Sequence, residues 1–191
     1  MHINSDEQLG NYEYRYCDDS ITLNNITDKY IHRVANSMDF ESIVINNSTF
    51  ESIHVLEFTC LDFCVINSNI KIMPELPFSE NIYCSGNGIT QMQGCDVCEI
   101  LHCSGNALKC LPDLVHCTEI DCSYNNITRL PKLSNCKKFI GNNNLLTEIP
   151  YMAFARKIYV HNNKLMNLTV PEGCMRLKCY GNPFNQNANV I

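Results

Sequence analysis

From Phe63 onward, one short pattern of apolar and polar positions recurs every 19 residues. Around Cys84 it reads Tyr-Cys-Ser-Gly-Asn-Gly-Ile-Thr, around Cys103 His-Cys-Ser-Gly-Asn-Ala-Leu-Lys, and around Cys122 Asp-Cys-Ser-Tyr-Asn-Asn-Ile-Thr. The same step reaches Gly141, Val160 and Cys179, and one step back from Cys84 lies Val65. Seven consecutive units hold this register without an insertion. One row through them is Phe63, Ile82, Leu101, Ile120, Phe139, Ile158 and Leu177. A second is Asn87, Asn106, Asn125, Asn144, Asn163 and Asn182, with Ser68 in the first unit. A third is Ile70, Ile89, Leu108, Ile127, Leu146, Leu165 and Phe184, and a fourth Cys60, Ser79, Cys98, Cys117, Cys136, Ala155 and Cys174. Earlier units are looser: Ile43 lies 20 residues before Phe63, and Ile21 lies 22 before Ile43.

Alternation of period two, as in Leu101-His102-Cys103, predicts a short strand with two inward side chains. The Asn that follows stands where the chain must turn. Its amide donates to carbonyls and accepts from backbone N–H groups, which inside a dry coil require such partners. The Leu-Pro segment after it blocks a regular helix and favours an extended path. One such coil cannot bury its own apolar face, whereas stacked coils can, so the pattern predicts a solenoid.

The run Cys117-Thr118-Glu119-Ile120-Asp121-Cys122-Ser123-Tyr124-Asn125-Asn126-Ile127-Thr128-Arg129-Leu130-Pro131 resembles the leucine-rich-repeat motif, and the resemblance covers roughly residues 40–184. It implies an α/β solenoid, mostly β: a right-handed superhelix with a parallel concave sheet and a largely non-helical convex side. The short unit with Leu-Pro is similar to repeats of bacterial effectors and of related proteins from large DNA viruses. Such effectors often carry a ubiquitin-ligase domain after the repeats. This chain stops seven residues after Phe184, so that activity is not expected here. Cys stands at inward positions where the family often has Leu or Val. Abundant Asn and Ile hint at an AT-rich genome and a viral or parasitic source.

The expected organisation is an N-terminal cap and divergent first repeat over 1–40, a solenoid over 41–184, and a polar tail over 185–191. Thr27-Asp28 caps a predicted helix over 28–38, whose positions 30, 31, 34, 35 and 38 form one apolar face. That helix reads either as a separate cap or as the convex arm of a longer first repeat. Gly181-Asn182-Pro183-Phe184 resembles a common ending of the family.

The 191 residues are 45% apolar and 18% charged, which fits one globular domain rather than disorder. No stretch is long and apolar enough to cross a membrane, and the polar start shows no signal peptide. The net charge of −6 conceals an asymmetry: residues 1–128 hold 18 acids and 5 bases, whereas the rest hold 2 acids and 9 bases. Thirteen Cys without a visible signal peptide favour a reducing compartment. Packing is the favoured reading for them, since free Cys behaves as a small hydrophobe and most fall in the periodic rows. Cys17, Cys64, Cys95 and Cys110 fall outside those rows. The spacing Cys95-x-x-Cys98, with Cys103 and Cys110 following, is the zinc-like alternative, and disulfides between neighbouring coils are a third reading.

None of the six His falls in a paired metal motif, and nucleophile-elbow, Walker and dinucleotide-loop patterns are absent from the sequence. Gly86-Asn87-Gly88 reads as a repeat turn. The sequons at Asn25, Asn46, Asn47, Asn126 and Asn167 matter only in a secreted protein. No catalytic, cofactor or metal residue is assigned. What remains is a surface. Positions flanking the inward residues run from neutral and acidic (Glu119, Asp121) to basic and aromatic. Lys138, Lys157, Tyr159, Arg176, Lys178 and Tyr180 are the candidate partner-binding residues, against the competing reading of an ordinary solvated face. The expected function is non-enzymatic protein–protein interaction, as an adaptor or scaffold in the cytoplasm of a host or parent cell. The resemblance adds a virulence or host-interaction role. The partner is expected to be an acidic protein; a nucleic acid fits a protein of this charge poorly. The alternatives are a substrate-recognition subunit of a ubiquitin-ligase-type assembly and a secreted, receptor-like module.

Overall fold

The computed structural model describes residues 1–10, 19–35, 40–51, 53 and 56–184. They form ten strands: β1 (His2–Ile3), β2 (Ser20–Asn24), β3 (Ser42–Asn46), β4 (Asp62–Ile66), β5 (Asn81–Tyr83), β6 (Ile100–His102), β7 (Glu119–Asp121), β8 (Lys138–Ile140), β9 (Lys157–Tyr159) and β10 (Arg176–Lys178). All ten lie in one parallel sheet in sequential order. Each strand pairs with the strand one coil further on, and the row from Phe63 to Leu177 is kept partner by partner. Parallel neighbours that are also sequence neighbours require a full crossover between every pair. Repeated without exception, this builds a solenoid. The apolar rows fill its interior, and the polar members of each strand face outward.

The strands are short because only their inward residues gain from burial. In β4 these are Phe63 and Val65; in β6 the central Leu101 is buried and Cys103, just beyond, completes the pair. The Ile70-to-Leu165 row lines the next side of the coil, fully buried. A further row, Leu76, Cys95, Leu114, Leu133 and Met152, closes the convex side. Cys95 therefore belongs to a packing row, contrary to the expectation that it falls outside them. Cys110 is exposed and Cys64 half-buried on the outward face of β4, while Cys17 lies outside the described residues.

The Asn row ties the coils together. Asn125 Nδ2 reaches Cys122 O in its own coil at 3.1 Å and Cys103 O in the preceding one at 3.0 Å. Its Oδ1 accepts from Leu108 N–H at 2.9 Å. Asn106, Asn144, Asn163 and Asn182 repeat this set one coil apart. In the earlier coils serine takes over: Ser68 Oγ accepts from Ser48 N–H, and Ser48 Oγ from Ile26 N–H. The residue before each ladder position has positive φ: Asn47, Asn67, Gly86, Gly105, Tyr124, Asn143, Asn162 and Gly181. Asn and Gly tolerate this left-handed conformation. Tyr124, at φ 54°, is the exception.

Two helices, α1 (Asp6–Gly10) and α2 (Asp28–Ala35), pack together at the N-terminal end. The helix expected over 28–38 is seen as α2, with residues 36–38 outside the described residues. α2 follows β2 and precedes β3, burying Ile31, Val34 and Ala35. Thr27 Oγ1 accepts from Lys29 N–H at 3.4 Å, and Asp28 accepts from Glu51 N–H at 2.7 Å. The polar N-terminus, which suggested no element, adds β1 to the sheet edge. Ser5 caps α1 by accepting from Gln8 N–H, and Leu9 is fully buried. The tail over 185–191 lies outside the described residues.

Candidate interaction surface

Because the sheet is parallel and in register, outward residues also form rows. One is Asn81, Ile100, Glu119, Lys138, Lys157 and Arg176; the other is Tyr83, His102, Asp121, Ile140, Tyr159 and Lys178. Adjacent members stand about 4.8 Å apart along the stack. Side chains in a row are therefore forced into contact.

At the middle of the face the charges cancel. Glu119 Oε1 accepts from His102 Nε2 at 2.9 Å in β6 and from Lys138 Nζ in β8. Burial opposes the carboxylate, but hydrogen bonds and charge from Lys138 and His102 outweigh it and hold this carboxyl below its ordinary range. Asp121 is turned into its own strand end, accepting from Ser123 N–H at 3.1 Å and from Ser123 Oγ–H at 2.7 Å. His102 also meets Tyr83 edge-on, with centroids 5.3 Å apart.

The β9–β10 end differs. The ammonium groups of Lys157 and Lys178 lie 4.6 and 4.8 Å from the centroid of Tyr159. The ring faces attract the cations and gather two like charges about one side chain. Arg176 is exposed beside Lys157, its register partner. Among the described residues no carboxylate pairs with Lys157, Arg176 or Lys178, and none of their side-chain N–H groups has an acceptor. Tyr180 stacks on His161 at 4.5 Å and 23° and remains 63% exposed. Burial, then the charge of Lys178, lowers the pKa of His161.

Of the six residues singled out from the sequence, five are gathered over β9–β10: Lys157, Tyr159, Arg176, Lys178 and Tyr180. Lys138 stands on the same face, but its charge is taken up by Glu119. His161, which the repeat frame places beside the outward strand positions, lies outside the six but joins them through its stack with Tyr180.

The thiols are placed differently. Cys84, Cys103 and Cys122 are fully buried, and burial is the largest cause raising each of their pKa values. Burial likewise pushes Cys60 to about 11 and Cys136 to about 12. Among the described residues no group of three His, Cys, Asp or Glu is placed to hold a metal ion.

A sequential parallel sheet, an inter-coil Asn ladder and a mostly non-helical convex side together define a leucine-rich-repeat solenoid. No family model and no curated protein matches the sequence. Among solved structures the chain is similar to YopM, a leucine-rich effector protein from Yersinia pestis. The TM-score is 0.65 at 23% identity, over 84% of this chain and 46% of that one. It is also similar to YopM from Yersinia enterocolitica WA-314, with TM-score 0.55 at 16% identity, over 90% of this chain and 53% of that one. The likeness is one of fold, and the chain spans about half the length of these neighbours. No helix among the described residues is long and apolar enough to cross a membrane.

Proposed function

We propose that this protein is a non-enzymatic recognition module, an adaptor or scaffold. It binds an acidic partner protein through the β9–β10 end of its concave face. One observation carries the reading. Lys157, Arg176 and Lys178 sit beside Tyr159 and Tyr180 at positions the interior does not use, with no carboxylate partner among the described residues. Tyr and Arg are enriched where interfaces draw most of their binding energy. A role in the cytoplasm of a host cell is part of the same reading, supported by the likeness of fold to a pathogen's effector protein.

The test compares wild type with the Lys157→Glu/Lys178→Glu variant as bait. Proteins retained by wild type are then purified and their binding to both forms measured directly. The expected result is an association rate that falls with salt and falls again in the variant, with a smaller change in dissociation. A purified partner that binds both forms equally at low salt moves the site off this face.

A further inference from the structure

We propose that Lys157, Arg176 and Lys178 form a phosphoryl-binding site, so that the partner is recognised by a phosphorylated serine, threonine or tyrosine. This rests on the reading above and names the group that the acidic partner presents.

The argument begins with register. Arg176 lies directly beside Lys157, and Lys178 directly beside Tyr159. Strand neighbours are about 4.8 Å apart, and alternate residues of one strand point to the same face. Lys157 and Lys178 therefore meet at one tyrosine ring, their ammonium groups 4.6 and 4.8 Å from its centroid, and Arg176 stands beside Lys157 on the next strand. Contact with a π face leaves ammonium N–H bonds free to donate. The guanidinium of Arg176 likewise has no acceptor among the described residues.

Charge then selects the ligand. The nearby acids are committed elsewhere: Glu119 to Lys138 and His102, Asp121 to Ser123. A single carboxylate brings one negative charge and would leave the trio largely uncompensated. A phosphomonoester brings about −1.5 to −2 and three acceptor oxygens, which matches three separate donors. Arginine adds a planar fork suited to two phosphate oxygens at once. The exposed ring of Tyr180 borders the cluster and offers a contact for residues flanking the phosphorylated one. Long nucleic acids, by contrast, need a track of cations. Here the track ends at Lys138, which Glu119 neutralises.

The test uses the whole chain and degenerate peptide libraries with a fixed central residue: phosphoserine, phosphothreonine, phosphotyrosine, glutamate or serine. Binding is read by fluorescence anisotropy at low salt. Phosphorylated centres should bind about tenfold or more tightly than glutamate, as expected for charge-assisted bonds to a dianion. Inorganic phosphate should compete, whereas chloride at equal ionic strength should not. Lys178→Gln and Arg176→Gln should each abolish the preference while leaving the melting temperature unchanged. Equal binding of phosphorylated and glutamate centres overturns the phosphoryl site and leaves the acidic-partner reading standing. A preference that survives both substitutions, or a single-stranded oligonucleotide that binds as tightly as the phosphopeptides, overturns it as well. Binding of none of the libraries overturns both readings.

Discussion

A Cβ added to Gly141 would lie 2.5 Å from Cζ of Phe139. Phe139 is the one phenylalanine in its row after Phe63, and Gly141 the one glycine in the row Cys84, Cys103, Cys122, Val160 and Cys179. The two departures compensate each other, because the larger ring takes the volume the missing side chain leaves. Gly141→Cys, though it restores the row, should cost about 1–3 kcal/mol through overpacking. Phe139→Leu should leave a void and be destabilising too. The double variant should be more stable than the sum of the two predicts, since each change relieves the other. Urea unfolding of the four proteins measures the coupling, and strict additivity would show that the residues do not share this space.

The Asn ladder makes a second, sharper comparison. Asn125 is buried and bonds four backbone groups in two coils, whereas neighbouring Asn126 has an exposed side chain. Asn125→Ala strands Leu108 N–H in a dry interior and removes one of the two side-chain donors to each of Cys103 O and Cys122 O, which Asn106 and Asn144 still reach, and should cost about 1–3 kcal/mol. Asn126→Ala should fall within about 0.5 kcal/mol of wild type. Melting temperatures that drop equally in both would remove the ladder from the account of stability.

Glu119 links the face to pH. Its folded pKa is depressed, so its contribution to stability is present above the unfolded carboxylate value of about 4.3. It is lost as pH falls through the lower folded value. Glu119→Gln should remove this part of the acid-side slope and leave stability above that range nearly flat. The side chain keeps 28% of its surface exposed and solvent screens the pair in part, so the change should be small. Denaturant midpoints across the acid range, compared between the two proteins, read it out.

The rows were legible in the sequence because stacking imposes one period, and any residue that breaks it must be excused by a neighbour. Outward positions were legible for the same reason, since alternation fixes which face each strand residue takes. The capture of Lys138 by Glu119 was not, because it depends on how far two side chains reach across strands. The row holding Cys95 was missed since each of its members opens a turn, its carbonyl accepting from the N–H three residues on, where neither a strand nor a helix period applies. β1 was missed because its coil departs from the 19-residue step, its His2 pairing with Thr22.

Thiol reactivity separates buried rows from the surface. Cys84, Cys103 and Cys122 are buried and held protonated, while Cys110 is exposed. A thiolate-selective reagent at pH 8 should label Cys110 rapidly and the three row cysteines only as fast as the chain opens. Denaturant should make all four equally reactive. Rapid native labelling of Cys103 would place it outside the core.

Tyr124 is the place where local stability and the surface part company. Its φ of 54° is the conformation that Gly105 and Asn143 adopt in the coils on either side. A residue with a bulky side chain pays about 1–2 kcal/mol there, roughly what glycine or asparagine avoids. The ring gives little back to the fold, since the residue is 63% exposed. Backbone strain of this kind persists where a side chain serves something other than packing. Tyr124→Asn should therefore raise stability by about 1 kcal/mol, using the residue that nearby coils already place there. Asparagine is the informative substitution, because glycine would also loosen the unfolded chain and mask part of the gain. The urea midpoint of the variant checks the sign: a decrease would mean that the ring contributes more packing than its exposure implies. Binding of a cluster-dependent partner to the same stabilised variant then tests the surface. A protein that becomes more stable while its association weakens ties the strained tyrosine to recognition, whereas unchanged binding confines the contact to β9–β10.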